Sequence, residues 1–274
     1  MKIDNSQGAL LGTTLNKKAK EQAKIMEQMA TGKRINRASD DAAGLSMAKE
    51  FEKQVREYRQ ASDNLYDGMS ATAIQDGAAS GISDMLQRQR ELAVQGANGA
   101  LNTNDRAALD QEFQQLSQEI DRVAKSTDFN GQNLLDGTSA LSNGTGKIVA
   151  GNGPSDSITL SATDMTASGL NLGGVSLLTP GSALAAMTSI DNAMRSVTDQ
   201  RATTGATENR FEYAASSTDN QYVNTMKSLS NIEDLDYAQA QTDKVRNDIL
   251  SNTGAAALSQ FNQLSRTHLL SLLQ

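Results

Sequence analysis

Apolar residues recur at helical spacing through most of the first third of the chain. The first series advances by steps of three and four residues and predicts one amphipathic helix with a narrow stripe, formed by Leu11, Leu15, Ala19, Gln22, Met26 and Met29. We expect this helix to end near Thr31-Gly32. A second series, from Phe51 to Leu92, predicts a helix from about residue 45 to 98, which is longer than a compact monomer needs.

The next apolar series has a strict seven-residue repeat and is typical of a helix that returns along its predecessor. Its members are Leu109, Phe113, Leu116, Ile120 and Val123. Asn130-Gly131 then predicts a turn, and we expect two or three short strands at 148–149, 157–160 and 170–178. Helical spacing resumes at Leu184 and continues to Ile232, so the middle of the chain is a small β region between helices.

The last 26 residues, 249–274, contain one formally charged side chain, Arg266. A helix exposed to water normally keeps a charged face, so we expect this one to be surrounded by other protein. Partners for it would come from neighbouring subunits. An interface between two different surfaces of identical chains, repeated without closing a ring, produces an open helical fibre.

Composition supports helix-on-helix packing and excludes several classes of function. Aromatic residues make up only 4 % of the chain and tryptophan is absent, which favours helices over a sheet sandwich. The only prolines are Pro154 and Pro180, so neither flank is interrupted. The net charge of -7, the absence of cysteine and the lack of a long apolar run predict no nucleic-acid binding, no disulfides and no membrane insertion. Residues 1–12 lack the pattern of a cleaved secretory signal.

The residues that could carry chemistry have simpler structural interpretations. His268 is the only histidine, and one imidazole does not make a metal or catalytic site. Gly146-Lys147 lacks the surrounding residues of a phosphate loop. The acidic pairs at 40–41 and 233–236 do not follow a calcium-loop spacing, and we expect them to cap helices or to pair with Lys33, Arg34 or Arg37. We therefore predict no catalytic residue, no cofactor and no metal.

Six segments, in order along the chain, closely resemble the bacterial flagellins. They are TGKRINRASDDAAGL (31–45), LQRQRELAVQ (86–95), EIDRV (119–123), DFNG (128–131), SNIEDLDYA (230–238) and LLSLL (269–273). The resemblance implies a mainly α protein, an elongated antiparallel helical bundle or coiled coil with paired N- and C-terminal helices and a small β-hairpin region.

The same resemblance implies five segments. An inner-core helix and linker occupies 1–42, a helical hairpin of the outer domain 43–137, a short β and loop region 138–181, the second outer helix 182–233 and the C-terminal inner-core helix 234–274. The inner layer would surround a channel through which unfolded subunits travel. Its expected subunit contacts are Leu11, Leu15, Met26, Met29, Leu258, Phe261, Leu264, Leu269 and Leu272.

The expected function is that of a flagellar filament subunit, a homopolymer secreted to the extracellular filament by type III export. Its expected partners are an export chaperone, the export apparatus, and the filament cap and junction proteins. The resemblance also implies a surface for a vertebrate innate immune receptor at Arg88, Leu92 and Glu112, although Gln89 stands where an apolar residue is common. A hook-filament junction protein and a secreted coiled-coil adhesin or effector are the alternatives.

Overall fold

The computed structural model describes residues 6–138, 146–151, 153, 156–161 and 163–272, with the side chains of 6, 7, 265 and 268–272 left out. Within these residues the helices are α1 (Ser6–Thr31), α2 (Ala42–Gly96), α3 (Thr103–Ser126), α4 (Pro180–Glu233) and α5 (Tyr237–Leu272). The strands are β1 (Asp128–Phe129), β2 (Gln132–Asn133), β3 (Lys147–Val149) and β4 (Ser157–Thr159). The mainly helical fold with a small β region is confirmed.

The chain forms two compact units, which we call the terminal unit and the central unit. The terminal unit comprises Met1–Lys53 and Asn224–Gln274, and the central unit comprises Gln54–Val223. Both boundaries fall inside the long helices α2 and α4. The five-segment division, with changes at 42 and 233, stays a prediction.

The core of the central unit is built by α2 together with α3 and α4, each of which runs antiparallel to α2. Along α2 and α4 the paired positions run in opposite directions, from Arg90 with Asp191 (2.6 Å between Nε and Oδ1) to Asp76 with Arg201 (2.8 Å). The seven-residue repeat of α3 faces this core as predicted, since Phe113 is fully buried. The other fully buried large side chains of the unit include Leu65, Ile82, Leu86, Leu92, Ile120 and Phe211.

The turn between α2 and α3 is fixed by one cap and one buried cation. The Asn102 side chain accepts a hydrogen bond from the Asp105 N–H, and the Asp105 carboxylate accepts one from the Asn102 N–H in return, which begins α3. Arg106 is only 8 % exposed and donates to the carbonyls of Gly96 (3.2 Å) and Asn98 (2.9 Å). A cation at the C-terminal carbonyls of a helix interacts favourably with the negative end of the helix dipole. The predicted helix break at Asn98 is therefore a closed turn.

The β region agrees with the sequence at two places and corrects it at one. Asn130 (φ 51°) and Gly131 (φ 75°) both adopt the left-handed conformation that a two-residue hairpin turn requires, and β1 pairs with β2 across them. The predicted strands near 148 and 158 form the β3–β4 pair. The strand expected at 170–178 is wrong, because this segment is a series of turns.

The segment 165–177 is bonded to the side chains of α3 instead of to a neighbouring strand. Asp110 accepts the Leu177 N–H (2.6 Å), Asp121 accepts the Ala167 N–H (2.7 Å), and Gln114 donates to a carbonyl of the same segment. Its apolar side chains are buried in the core, which is why their spacing resembled a strand; they include Met165, Leu170, Leu172 and Leu177.

We predict that Asp110→Ala lowers the free energy of unfolding by about 1–3 kcal/mol, because it leaves a backbone N–H without its charged acceptor. Urea unfolding followed by circular dichroism measures this. Glu119→Ala is the matched control on the same helix. It removes only an exposed ion pair with Arg122 and should cost ~0–1 kcal/mol. Equal losses in the two variants would contradict the proposed anchoring.

Candidate assembly interface

The link after α1 ends one helix and begins the next with side chains that the sequence singled out. Gly32 adopts φ 72° and its N–H bonds the Gln28 carbonyl (2.8 Å), which closes α1 near the predicted residue. Asp41 accepts the Gly44 N–H (2.8 Å) and caps α2. A side chain at Gly44 would meet the Asp41 carboxylate and the Cδ1 atom of Ile35 (2.7 Å), so a larger residue there would displace the capping carboxylate.

Two backbone segments, residues 32–35 and 232–235, pair in what we call the link pairing. Lys33 and Asp234 form an antiparallel bridge, and the Arg34 N–H donates to the Glu233 carbonyl (2.6 Å). Lys33 Nζ lies 2.6 Å from Glu233 Oε1, and this hydrogen bond raises the pKa of Lys33. The predicted pairing of Lys33 with the acidic cluster is confirmed. Arg34 instead donates to the Ile232 carbonyl (2.6 Å).

Asp40 and Arg37 have different partners from those expected. The Asp40 carboxylate binds Lys24 (2.8 Å) and also accepts the backbone N–H groups of Asn36 (3.2 Å) and Arg37 (3.0 Å). The hydrogen bond from Lys24, followed by that from the Arg37 backbone, lowers the pKa of Asp40. The Arg37 guanidinium binds Glu27 (2.9 Å). Lys24 faces this loop because it lies two turns before the end of α1, a placement that only the fold determines.

Asp236 begins the last helix. Its carboxylate accepts the N–H groups of Ala238 (2.9 Å) and Gln239 (3.1 Å), which are the second and third residues of α5. Tyr237 donates from its hydroxyl to the Met29 carbonyl (2.7 Å). The acidic run 233–236 therefore serves the structural roles predicted for it, pairing and capping.

In the terminal unit, α1 and α5 lie in contact and run antiparallel. The buried and half-buried positions of each helix follow a seven-residue repeat, which we call the seam. On α1 the seam is Leu11, Leu15, Lys18, Gln22, Ile25 and Met29. On α5 it is Ala240, Lys244, Asn247, Ser251, Gly254, Leu258 and Phe261. Gly254 permits close approach, since a Cβ there would lie 2.8 Å from Leu15 Cδ2.

The predicted stripe of α1 is corrected at two positions. Ala19 and Met26 are exposed, while Lys18 and Ile25 take their places in the seam. Helices that pack along each other over a long distance follow a repeat of 3.5 residues, so the stripe advances by alternating steps of three and four. The stripe expected from the sequence takes two consecutive steps of four, from Leu11 to Ala19, whereas the packed helix alternates steps of four and three throughout.

The exposed surface of the terminal unit carries many of its large apolar side chains. We call these exposed side chains, which are distributed around the helix pair, the outward apolar face. It comprises Leu10 (67 % exposed), Met26 (51 %), Val245 (46 %), Ile249 (57 %), Leu250 (46 %) and Leu264 (58 %). On α5 the usual arrangement is reversed, because Lys244, Asn247 and Ser251 face α1 while Val245, Ile249 and Leu250 face outward.

The predicted subunit contacts divide between these two surfaces. Leu11, Leu15, Met29, Leu258 and Phe261 lie in the seam. Met26 and Leu264 lie on the outward apolar face. The side chains of Leu269, Leu272 and His268 lie outside the described residues. Val245 and Ile249 are further candidates that were not among the predicted contacts, although the charged residues beside them in the sequence make their apolar character a signal.

In the central unit the predicted receptor residues occupy two environments. Arg88 donates to Glu112 (2.7 and 2.9 Å) and to Glu91 (3.0 Å), and these hydrogen bonds raise its pKa. Leu92, by contrast, is 1 % exposed and belongs to the core. Gln89 is also fully buried and donates to Ser117 (2.7 Å), so its departure from the family pattern lies in the core.

Among the residues that the structure describes, no three histidine, cysteine or carboxylate side chains converge as metal ligands do. None of the described helices is long and apolar enough to cross a membrane. The features that stand out are instead two long paired helices and an apolar surface on the terminal unit, which define a structural protein that binds other protein.

Comparison with known proteins identifies the family. The bacterial flagellin N-terminal helical region matches residues 5–140, and the bacterial flagellin C-terminal helical region matches residues 187–273. Together they cover most of the chain. The chain belongs to the bacterial flagellin family and is a structural subunit of the flagellar filament.

Individual relatives agree over nearly their whole length. A flagellin of Halalkalibacterium halodurans is 37 % identical over 88 % of both chains, and the flagellar filament 33 kDa core protein of Treponema phagedenis is 36 % identical over 92 % of both. The crystal structure of Bacillus cereus flagellin is similar at a TM-score of 0.51 and 34 % identity, over 57 % of this chain and 88 % of that one. Members of this family form the extracellular flagellar filament.

The Asp40 contacts predict a pH dependence for the terminal unit. Because the folded state lowers the pKa of Asp40, its stabilisation is present above the unfolded pKa, about 4, and is lost as the pH falls through the lower folded value. Urea titrations should therefore show wild type and Asp40→Asn diverging above about pH 4 and converging at lower pH. Lys24→Met should remove most of this divergence. A difference between wild type and Asp40→Asn that is the same at pH 3 and pH 6 would refute the assignment.

Proposed function

We propose that the terminal unit is the part of the chain that polymerises, with 1–42 and 234–274 forming the inner layer of the filament and 43–233 the outer layer. The observation that carries this proposal is the outward apolar face. Its side chains have no partner among the described residues that would explain their retention on a water-exposed helix. Contact with other copies would supply one.

The magnitudes favour assembly over a solitary chain. Burying a large apolar side chain completely contributes roughly 1.5–3 kcal/mol, and the six members of the outward apolar face are each about half exposed. Covering them in every subunit would therefore contribute several kcal/mol per copy before the cost of ordering. Packing along the seam alone stabilises the α1–α5 pair only weakly, because the middle of the seam is polar. Folding of the two helices and their association are thus coupled.

The same surface implies partners before and after assembly. An exposed apolar helix in the cytoplasm favours aggregation, and an export chaperone covering α5 would prevent it until delivery to a type III export apparatus. At the tip of the filament, cap and junction proteins would meet the same helices. We propose that the chain is secreted by this route and that its role in swimming motility is structural, without catalysis, cofactor or metal.

A second surface supports recognition by a vertebrate innate immune receptor. Arg88 and Glu112 form an exposed ion pair across α2 and α3, and a charged pair of this kind can exchange its partners for those of a binding protein. Leu92 would contribute indirectly, by packing in the core that holds α2 and α3 together. The proposal therefore rests on two surface residues and one core residue.

The assembly proposal predicts that Ile249→Asp abolishes elongation from filament seeds, because a carboxylate replaces an exposed apolar side chain that would be buried between subunits. Light scattering and electron microscopy of seeded reactions measure this. Leu178→Asp is the matched control, since Leu178 is similarly exposed (49 %) but belongs to the central unit. Deletion of 249–274 should likewise give a soluble chain that forms no filament. Normal elongation by Ile249→Asp would exclude the proposal.

For the receptor surface, Arg88→Ala and Glu112→Ala should each reduce signalling in a receptor reporter assay by about tenfold, the effect of losing ~1.4 kcal/mol of binding. Arg122→Ala provides the control, because it breaks an exposed ion pair on the same helix α3. If all three variants signal as the unaltered protein does, this surface is not the receptor site.

A further inference from the structure

The middle of the α1–α5 seam is polar where a helix pair would ordinarily be apolar. On α1 the consecutive seam positions 18 and 22 are Lys18 and Gln22, and on α5 the facing seam residue is Asn247, which is only 7 % exposed. Leu15 and Ile25 are the apolar seam residues on either side of this layer. Apolar residues at these positions would pack more favourably. Polar residues at these positions lower the stability of the helix pair, which suggests that they serve another role.

The hydrogen bonds of this layer are specific but incomplete. Gln22 Nε2 donates to Asp248 Oδ1 (2.8 Å), while Lys18 Nζ lies 3.4 Å from Asn247 Oδ1. Since a carboxylate can only accept, the contact with Asp248 fixes which end of the Gln22 amide faces it. Gln22 Oε1 is then buried, with no hydrogen-bond partner among the described residues. A buried acceptor without a donor destabilises the folded state.

A buried polar residue in a helix pair is best known as a determinant of register. We propose that Gln22 and Asn247 set the register of the antiparallel α1–α5 pair and thereby determine the specificity of assembly. The inference rests on the proposed role of the terminal unit in polymerisation.

Alternative registers show why these two residues discriminate. In the observed register Leu15 lies against Gly254, and Gln22 lies beside Asn247 and Asp248. If α5 slid by one repeat, Leu15 would face Phe261 and Asn247 would face Met29. The slid pair would bury an amide against an apolar side chain without a hydrogen bond. With leucine at positions 22 and 247, the slid pair would bury only apolar side chains at these positions and would carry no such penalty.

Register matters for assembly because the outward apolar face is shared by both helices. Leu10 and Met26 belong to α1, whereas Val245 and Ile249 belong to α5. A slip of seven residues would displace one half of the face from the other by about 10 Å, at ~1.5 Å per residue. The surface offered to the next subunit would then be a different one. One register therefore gives one repeating contact, which a regular filament requires.

Cysteine cross-linking tests the inference directly, because the chain has no cysteine of its own. Two reporter pairs are introduced into the full-length chain. Leu15→Cys with Gly254→Cys reports the observed register, and Leu15→Cys with Phe261→Cys reports the slid one. Brief oxidation traps each pairing as an intramolecular disulfide, and the ratio of the two products is measured by mass spectrometry.

In the otherwise unchanged sequence we expect the first product to exceed the second by about tenfold or more. In the Gln22→Leu/Asn247→Leu background this ratio should fall towards one. The matched control is Asn16→Leu/Asn252→Leu, which adds the same leucines at exposed positions outside the seam and should keep the original ratio.

A ratio that is the same with and without the seam substitutions would overturn the inference, and so would the absence of any preference in the unchanged sequence. The measurement is made on unassembled chains, in which brief oxidation traps the pairings that the marginally stable helices form transiently. The outcome is therefore distinguishable from that of Ile249→Asp, which tests the role of the outward apolar face.

Discussion

The structure of the terminal unit depends on an inverted distribution of polarity in α5. Its polar residues Lys244, Asn247 and Ser251 face α1, and its apolar residues Val245, Ile249 and Leu250 face away from it. In water this arrangement is unfavourable for a helix pair by itself, because the apolar face stays hydrated and the seam contributes little. It becomes favourable when other protein covers the outward face. We therefore expect the helix pair to be stable in the proposed assembly and marginal outside it.

The central unit follows the opposite rule. Its helices bury apolar side chains such as Phe113 and Phe211 completely, and its ion pairs, such as Asp76 with Arg201, lie at the edge of the core. The segment 165–177 adds further apolar side chains and is held by carboxylates of α3. Both of its apolar core clusters lie wholly within residues 54–223, and we expect this unit to keep its fold when the terminal helices are unpaired. Under the proposed function, this division would let one part of the subunit stay folded while the other pairs on assembly.

The link pairing of residues 32–35 with 232–235 positions the helices on either side of it and adds little hydrophobic stabilisation. Short backbone hydrogen bonds, the caps at Asp41 and Asp236, and the contact of Lys24 with Asp40 fix where each helix ends and begins. Exposed ion pairs of this kind contribute little energy individually. These contacts hold the end of α1 beside the beginning of α5. The polar layer at Gln22 and Asn247 therefore has to discriminate among only a few registers.

The sequence by itself determined the helices, their ends and the family. Periodic apolar positions, the glycine at 32 and the Asn-Gly turn act locally, so they could be recognised without tertiary information. Only the tertiary structure decided which residues of α1 enter the seam, where Lys18 and Ile25 replaced Ala19 and Met26. It also decided that 170–178 bonds the carboxylates of α3 instead of a strand, and that Leu92 is buried. These outcomes depend on contacts between distant segments, and single-chain periodicity contains no information about which partner will occupy a given face.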